Sequence, residues 1–112
     1  GELAAMLSHG GMIVVTAFIS PYQADRALAR RAAGESFQEI FLDPGLEICE
    51  QRDPKGLYEK ARAGEIPDFT GISAPYEMPT APEMTIDTGA VTITESVEIL
   101  HDYATRAFRL FA

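Results

Sequence analysis

Met12-Ile13-Val14-Val15-Thr16-Ala17-Phe18, followed at once by Ile19-Ser20-Pro21, is the stretch that decides the fold class. An uncharged run rich in β-branched residues reads as a strand buried on both faces of a parallel sheet, because a strand with one wet face would alternate apolar with polar. Ser20 as N-cap and Pro21 at the first helical position then predict a helix through Gln23 and Arg31 to Gly34. A strand that passes into a helix with almost no loop is α/β architecture. Before it, Leu3 to Leu7 with Gly10 and Gly11 behind them read as the end of a helix with a glycine C-cap, so the chain is expected to open inside an element.

Beyond Gly34 the same unit repeats. Phe37 to Leu42 reads as a second strand, and Asp43-Pro44 repeats the cap-plus-proline device ahead of a helix from Leu46 to Arg52. Two strand-then-helix units require crossovers, which predicts that Met12 to Phe18 and Gln38 to Leu42 are parallel strands of one sheet. Lys55 to Ala63 has helical spacing between Gly56, Gly64 and Pro67; it is a short mobile piece and a lid candidate whose charges lack fixed partners. Gly71, Pro75, Pro79 and Pro82 forbid regular structure from Phe69 to Pro82, and Met84-Thr85-Ile86 is a short strand. Thr92 and Glu95 have capping-box spacing. They open a last helix whose apolar stripe, Val97, Leu100, Ala104, Ala107 and Phe111, is expected to dock on the sheet.

The chain has 112 residues, 46% of them hydrophobic, which is enough for one domain or part of one. Its longest apolar run is far too short to span a bilayer, so no membrane partner is expected. One cysteine, Cys49, excludes an internal disulfide and fits a reducing cytoplasm, and two distant histidines offer no zinc site. A net charge of −8 argues against nucleic acid as a partner. Seven of the nine basic residues fall between Arg26 and Arg62, while Ala63 to Thr105 holds eight acids and no Lys or Arg. A local basic segment in an acidic chain suits a small anionic ligand; solvated helix faces balanced by Asp25, Glu35, Glu50, Asp53 and Glu59 would give the same pattern.

Three segments carry a resemblance to a known family: Thr16-Ala17-Phe18-Ile19-Ser20-Pro21; Cys49-Glu50-Gln51-Arg52-Asp53-Pro54-Lys55-Gly56-Leu57-Tyr58; and Lys60-Ala61-Arg62-Ala63-Gly64-Glu65-Ile66 running into Phe69-Thr70-Gly71-Ile72. In order and spacing they resemble the adenylylsulfate (APS) kinases, and the likeness extends through Ala74-Pro75-Tyr76-Glu77 and Ile86-Asp87-Thr88. The resemblance implies an α/β domain of the P-loop nucleotide-kinase type with a parallel sheet. It also implies transfer of the γ-phosphoryl of MgATP to the 3′-hydroxyl of APS, giving PAPS in sulfate assimilation. APS and ATP are then the small-molecule partners, and a homodimer, or a fused or associated sulfate adenylyltransferase, is the implied assembly.

The site residues follow from the resemblance, each beside a plainer reading. Ser20 is a helix N-cap, or a hydroxyl at the substrate pocket; its match in the family lies by the APS phosphosulfate and is described there as a phosphoserine intermediate. Direct in-line transfer remains the default mechanism for P-loop kinases. Ile19 and Pro21 flank Ser20 as substrate-binding residues. Lys55 is a solvated lysine, or the family lysine that reaches APS. Phe69 is a core aromatic, or the ring that stacks on the adenine of APS at a pocket edge. Arg52 pairs with Asp53 or Glu50 at the surface, or lies against the adenine of ATP as its family match does.

The sequence also departs from the family. It contains no G-x-x-x-x-G-K-[ST] and no Asp-Gly-Asp-Asn segment, so the phosphate cradle, the Mg²⁺-holding hydroxyl and the family's base are lacking. Residues 1–112 are therefore expected to be the C-terminal part of one APS kinase domain without its P-loop half, inactive alone, with the ligands of the Mg²⁺ that accompanies ATP in the missing half. Glu59 stands where many relatives have lysine. A P-loop-less regulatory domain that binds PAPS is the alternative from the binding class, and a small α/β interaction module is the third. A missing half would leave strand edges unpaired.

Overall fold

The computed structural model describes residues 1–109, and Phe111 of the expected apolar stripe lies outside them. Helix α1 (Glu2–His9) leads through Gly10 and Gly11 into a long irregular stretch, after which α2 (Gln23–Ala33) and a single 3-10 turn (Gly34–Ser36) precede β1 (Ile40–Leu42). Helices α3 (Leu46–Arg52) and α4 (Leu57–Arg62) follow, then a long loop, β2 (Met84–Ile86) and α5 (Ile93–Ala107).

The sheet is parallel, as expected of strands joined by helices, but its members are β1 and β2. Ile40 pairs with Met84, Phe41 with Thr85 and Leu42 with Ile86. The ladder continues at both ends through Met84 N to Glu39 O at 3.3 Å and Asp43 N to Ile86 O at 2.9 Å. Tyr103 on α5 donates to Gln38 just before β1, the polar tie between that helix and the sheet.

Met12 to Phe18, expected as a parallel strand beside Gln38 to Leu42, belongs to no helix or strand. Among the described residues, 13 to 19 make no backbone–backbone hydrogen bond, and Val15 and Phe18 are 89% and 81% exposed. The physical reason is that strand propensity records fitness for a pleated, covered surface and does not supply the cover. The free edge of the β1–β2 pair does not reach this segment, so its apolar side chains stay in solvent.

Two helix starts also differ from expectation. Ser20 and Pro21 stand outside α2, whose N-cap is Tyr22; the Glu77 carboxylate accepts from Gln23 N at 2.6 Å, supplying from 54 residues away the cap expected of Ser20. Asp43 accepts from Gly45 N at 3.3 Å, closing a turn ahead of α3 rather than capping the helix. At α5 the capping box is complete: Glu95 N donates to Thr92 Oγ1 at 3.2 Å and Thr92 N to Glu95 Oε2 at 2.7 Å.

Only Ala5, Ala61 and Ile86 form the buried core among the described residues, and Val97 and Ile93 of α5 are mostly exposed, so the expected docking of that helix is partial. The radius of gyration, 15.9 Å, exceeds the roughly 13 Å of a compact domain of this length. The apolar content of the sequence is thus spent only in part within the chain.

Candidate functional site

In open parallel sheets, ligands lie beyond the carboxyl ends of the strands. Here those ends are Asp43-Pro44-Gly45 after β1 and Asp87-Thr88-Gly89 after β2. They lie against one another: a Cβ on Gly89 would come within 3.2 Å of Pro44 O. Asp87 Oδ1 accepts from Gly89 N at 2.9 Å and Ala90 N at 3.1 Å, which turns the chain sharply toward α5.

Beside this turn is a largely apolar cavity of about 500 Å³, lined by Arg52, Thr88, Val91, Ile93 and Val97 among others. Arg52, the last residue of α3, donates from Nη2 to Thr88 O at 2.6 Å. It therefore pairs with neither Asp53 nor Glu50, and its guanidinium is fixed on the cavity wall. The recess is open, with aliphatic walls whose Ile93 and Val97 are largely exposed and one oriented guanidinium.

Around the lid candidate, the expectation of unpartnered charges is corrected for Arg62 and Asp53. Arg62 Nη2 and Nε reach Glu50 at 2.6 and 3.0 Å, a forked pair joining α4 to α3, and this hydrogen-bonded arginine holds the Glu50 carboxyl below its ordinary range. Asp53 accepts from Tyr58 N and Glu59 N, both at 3.1 Å, capping α4. Partial desolvation pushes its pKa up, but the backbone donors outweigh that, and the net direction is down. Lys55 is exposed in the tight turn between the two helices. Phe69 is half-buried, edge-on to Tyr58 with ring centroids 5.0 Å apart. Desolvation, then Cys49 beside it, raises the Tyr58 pKa.

Ser20 is held by other residues. It is half-buried at φ 43, a left-handed conformation uncommon for a residue with a Cβ, and its carbonyl accepts from Arg26. Pro21 O accepts from Glu77 N at 2.8 Å, and Ile19 is exposed. Among the described residues no hydrogen bond joins Ile19, Ser20 or Pro21 to Lys55 or Phe69. The sequence-derived residues are thus held by different partners: Arg52 by Thr88 at the cavity, Phe69 by Tyr58 of α4, and Ser20 and Pro21 by Arg26 and Glu77.

A second cleft, about 440 Å³, lies between α2 and the loop before β2, where Arg30 grips Glu83 at 2.6 and 2.9 Å. That arginine carries the Glu83 carboxyl down to about 2. Thr88, Val91, Ile93 and Val97 were not singled out as site residues from the sequence. Their signal is positional: a strand end, a glycine and a capped helix in quick succession.

The Adenylylsulphate kinase family model matches residues 1–87. The adenylyl-sulfate kinase of Bacillus pumilus is 55% identical over 105 residues, which is 92% of this chain and 53% of that protein. The Marinobacter nauticus adenylyl-sulfate kinase is 52% identical over the same length, 92% of this chain and 52% of the relative. The chain thus spans about half the length of these relatives. The structure of the Mycobacterium tuberculosis APS kinase in complex with AMPPNP and APS superposes with a TM-score of 0.72 at 44% identity, covering 88% of this chain and 61% of that one.

Proposed function

The chain belongs to the adenylylsulphate kinase family, and on that premise we propose that it is the C-terminal part of an enzyme that phosphorylates the 3′-hydroxyl of APS with ATP in sulfate assimilation. The observation that supports its share of the site most directly is the Arg52–Thr88 cavity at the carboxyl end of β2, where this fold class receives its ligands.

In the reaction, the 3′-oxygen of APS attacks the γ-phosphorus of ATP in line. The bond from that phosphorus to the β,γ-bridging oxygen breaks, ADP leaves, and the hydroxyl proton passes to a base outside these residues. This chain's contribution is positioning. Arg52 lies against the adenine of ATP, Lys55 takes the anionic end of APS as a mobile point charge, and Phe69 offers a ring face to the adenine of APS. Ile19, Ser20 and Pro21 border the phosphosulfate, with Ser20 as a contact to the reacting region and no covalent intermediate required.

The residues present do not fit the Mg²⁺ that travels with ATP: the Arg52 cavity offers hydroxyls and a guanidinium but no carboxylate, and Glu39 and Glu83 of the other cleft are taken by arginines. The sequence also holds no phosphate-cradling G-x-x-x-x-G-K-[ST]. Phosphate and metal handling therefore belong to a P-loop half of the same P-loop-type domain, and residues 1–112 alone are inactive.

The test is PAPS formation from APS and ATP by the natural polypeptide containing this segment, run beside the 112-residue chain. Turnover by the former and none by the latter is expected. Absence of PAPS from the natural polypeptide, with APS and ATP both saturating, sinks the activity; turnover by the short chain sinks the division of labour.

A further inference from the structure

Among the described residues, Ser20 is one of three non-glycine residues at positive φ, with Asp68 and Arg109, and a left-handed residue with a Cβ persists only where its surroundings over-determine it. The surroundings are explicit. Arg26 Nη1 donates to Ser20 O at 2.5 Å, Arg26 Nη2 donates to Glu77 O at 2.6 Å, and Arg26 Nε lies 2.8 Å from Glu39 Oε1. The last contact is an ion pair without hydrogen-bond alignment, since Glu39 Oε1 is buried with no aligned donor among the described residues. The Arg26 side chain is only 11% exposed, and its guanidinium lies 5.9 Å from the centre of the Tyr76 ring, which stacks on Phe41 of β1.

One guanidinium therefore bridges the segment before α2, the loop after Tyr76 and the start of β1. Glu77 completes the frame, donating from its N to Pro21 O at 2.8 Å and accepting from Gln23 N at 2.6 Å. The anion-binding end of α2 is thereby filled by a carboxylate of the protein itself. We infer that Arg26, assisted by Glu77, is a positioning residue that holds Ser20 in its left-handed conformation and so sets the floor of the substrate site. The inference rests on the proposed function for its kinetic consequence and on geometry alone for the rest. A lysine cannot replace this arginine: its single ammonium does not supply a planar fork with two directed hydrogen bonds and an ion pair beside them.

The test compares Arg26→Lys, Glu77→Gln and Arg30→Lys in the natural polypeptide, Arg30 being the neighbour that binds Glu83 and does not touch Ser20. Two readouts are taken: hydrogen exchange at the Gln23 amide, and KM for APS and ATP in PAPS formation. Arg26→Lys is expected to speed exchange at Gln23 about tenfold and to raise KM for APS about tenfold, with KM for ATP within about twofold. Arg30→Lys is expected to lower Tm and leave both readouts unmoved. Unchanged exchange in Arg26→Lys, or equal changes in Arg30→Lys, overturns the inference. If Arg26→Lys fails to fold, Glu77→Gln decides through the same pair of readouts, with faster Gln23 exchange supporting the clamp and unaltered exchange refuting it. If the unmutated polypeptide makes no PAPS, the proposed activity fails while exchange still decides the clamp.

Discussion

Replacing Glu83 by glutamine removes the charge from a carboxylate that accepts two hydrogen bonds from Arg30, at 2.6 and 2.9 Å, and one from Glu39 N at 2.6 Å. These contacts tie α2 to the starts of both strands. The arginine hydrogen bond lowers the carboxyl pKa from 4.5 to about 2, against an opposing push from desolvation. A shift of that size corresponds to roughly 3 kcal/mol. Arg30 is 39% exposed, and solvent screening reduces the expected contribution to about 1 kcal/mol. Because the folded pKa is depressed, the stabilisation is fully present above the unfolded value and is lost as pH falls from 4.5 toward about 2. Urea unfolding of wild type and Glu83→Gln in the natural polypeptide should show a gap of that size at pH 7 that narrows steadily on acidification below 4.5. A gap of constant size down to pH values near the folded pKa, or none at neutral pH, would refute the reasoning.

At the cavity, Thr92→Ala removes the acceptor for Glu95 N and should cost about 1 kcal/mol, visible as a lower Tm, while Thr92→Ser should restore most of it. A full-sized loss in the serine variant would show that the methyl group, not the cap, was responsible. Lys55→Met in the natural polypeptide should weaken APS binding about ten- to a hundredfold, less at high salt, and barely affect ATP. Unchanged APS affinity at low ionic strength returns Lys55 to an ordinary solvated lysine.

Local chemistry in this chain was legible to the residue. The limits of α3 and β2 and the capping box of α5 follow from neighbours a few positions apart, and the structure has them as expected. Asp43 failed locally, closing a turn with Gly45 instead of capping a helix; the other failures depend on distant partners. The start of α2 is set by Glu77 rather than Ser20 because a carboxylate brought in by a loop competes for the same N–H. Met12 to Phe18 has every local mark of a strand, yet pairing is a property of two segments and nothing in its own residues names the second. For the site, Arg52 came into view only through the family resemblance. Val97 of the opposite wall read as part of a docking stripe, since apolar residues on a helix look alike whether they meet a sheet or a ligand.

The bracing of α3 against α4 has a mechanical consequence. With Asp53 accepting from the amides of Tyr58 and Glu59, and Arg62 forked onto Glu50, the two helices are braced against each other as an elbow. Beyond Gly56 at the bend, glycines also stand at both ends. Gly45 at φ 78 and Gly64 at φ 77 flank the elbow, in backbone regions where a side chain would be strained. Lys55 rides at the bend of this elbow, so a rotation about Gly45 that is small in angle becomes a long travel for its ammonium, while the Arg52 bond to Thr88 O resists that rotation.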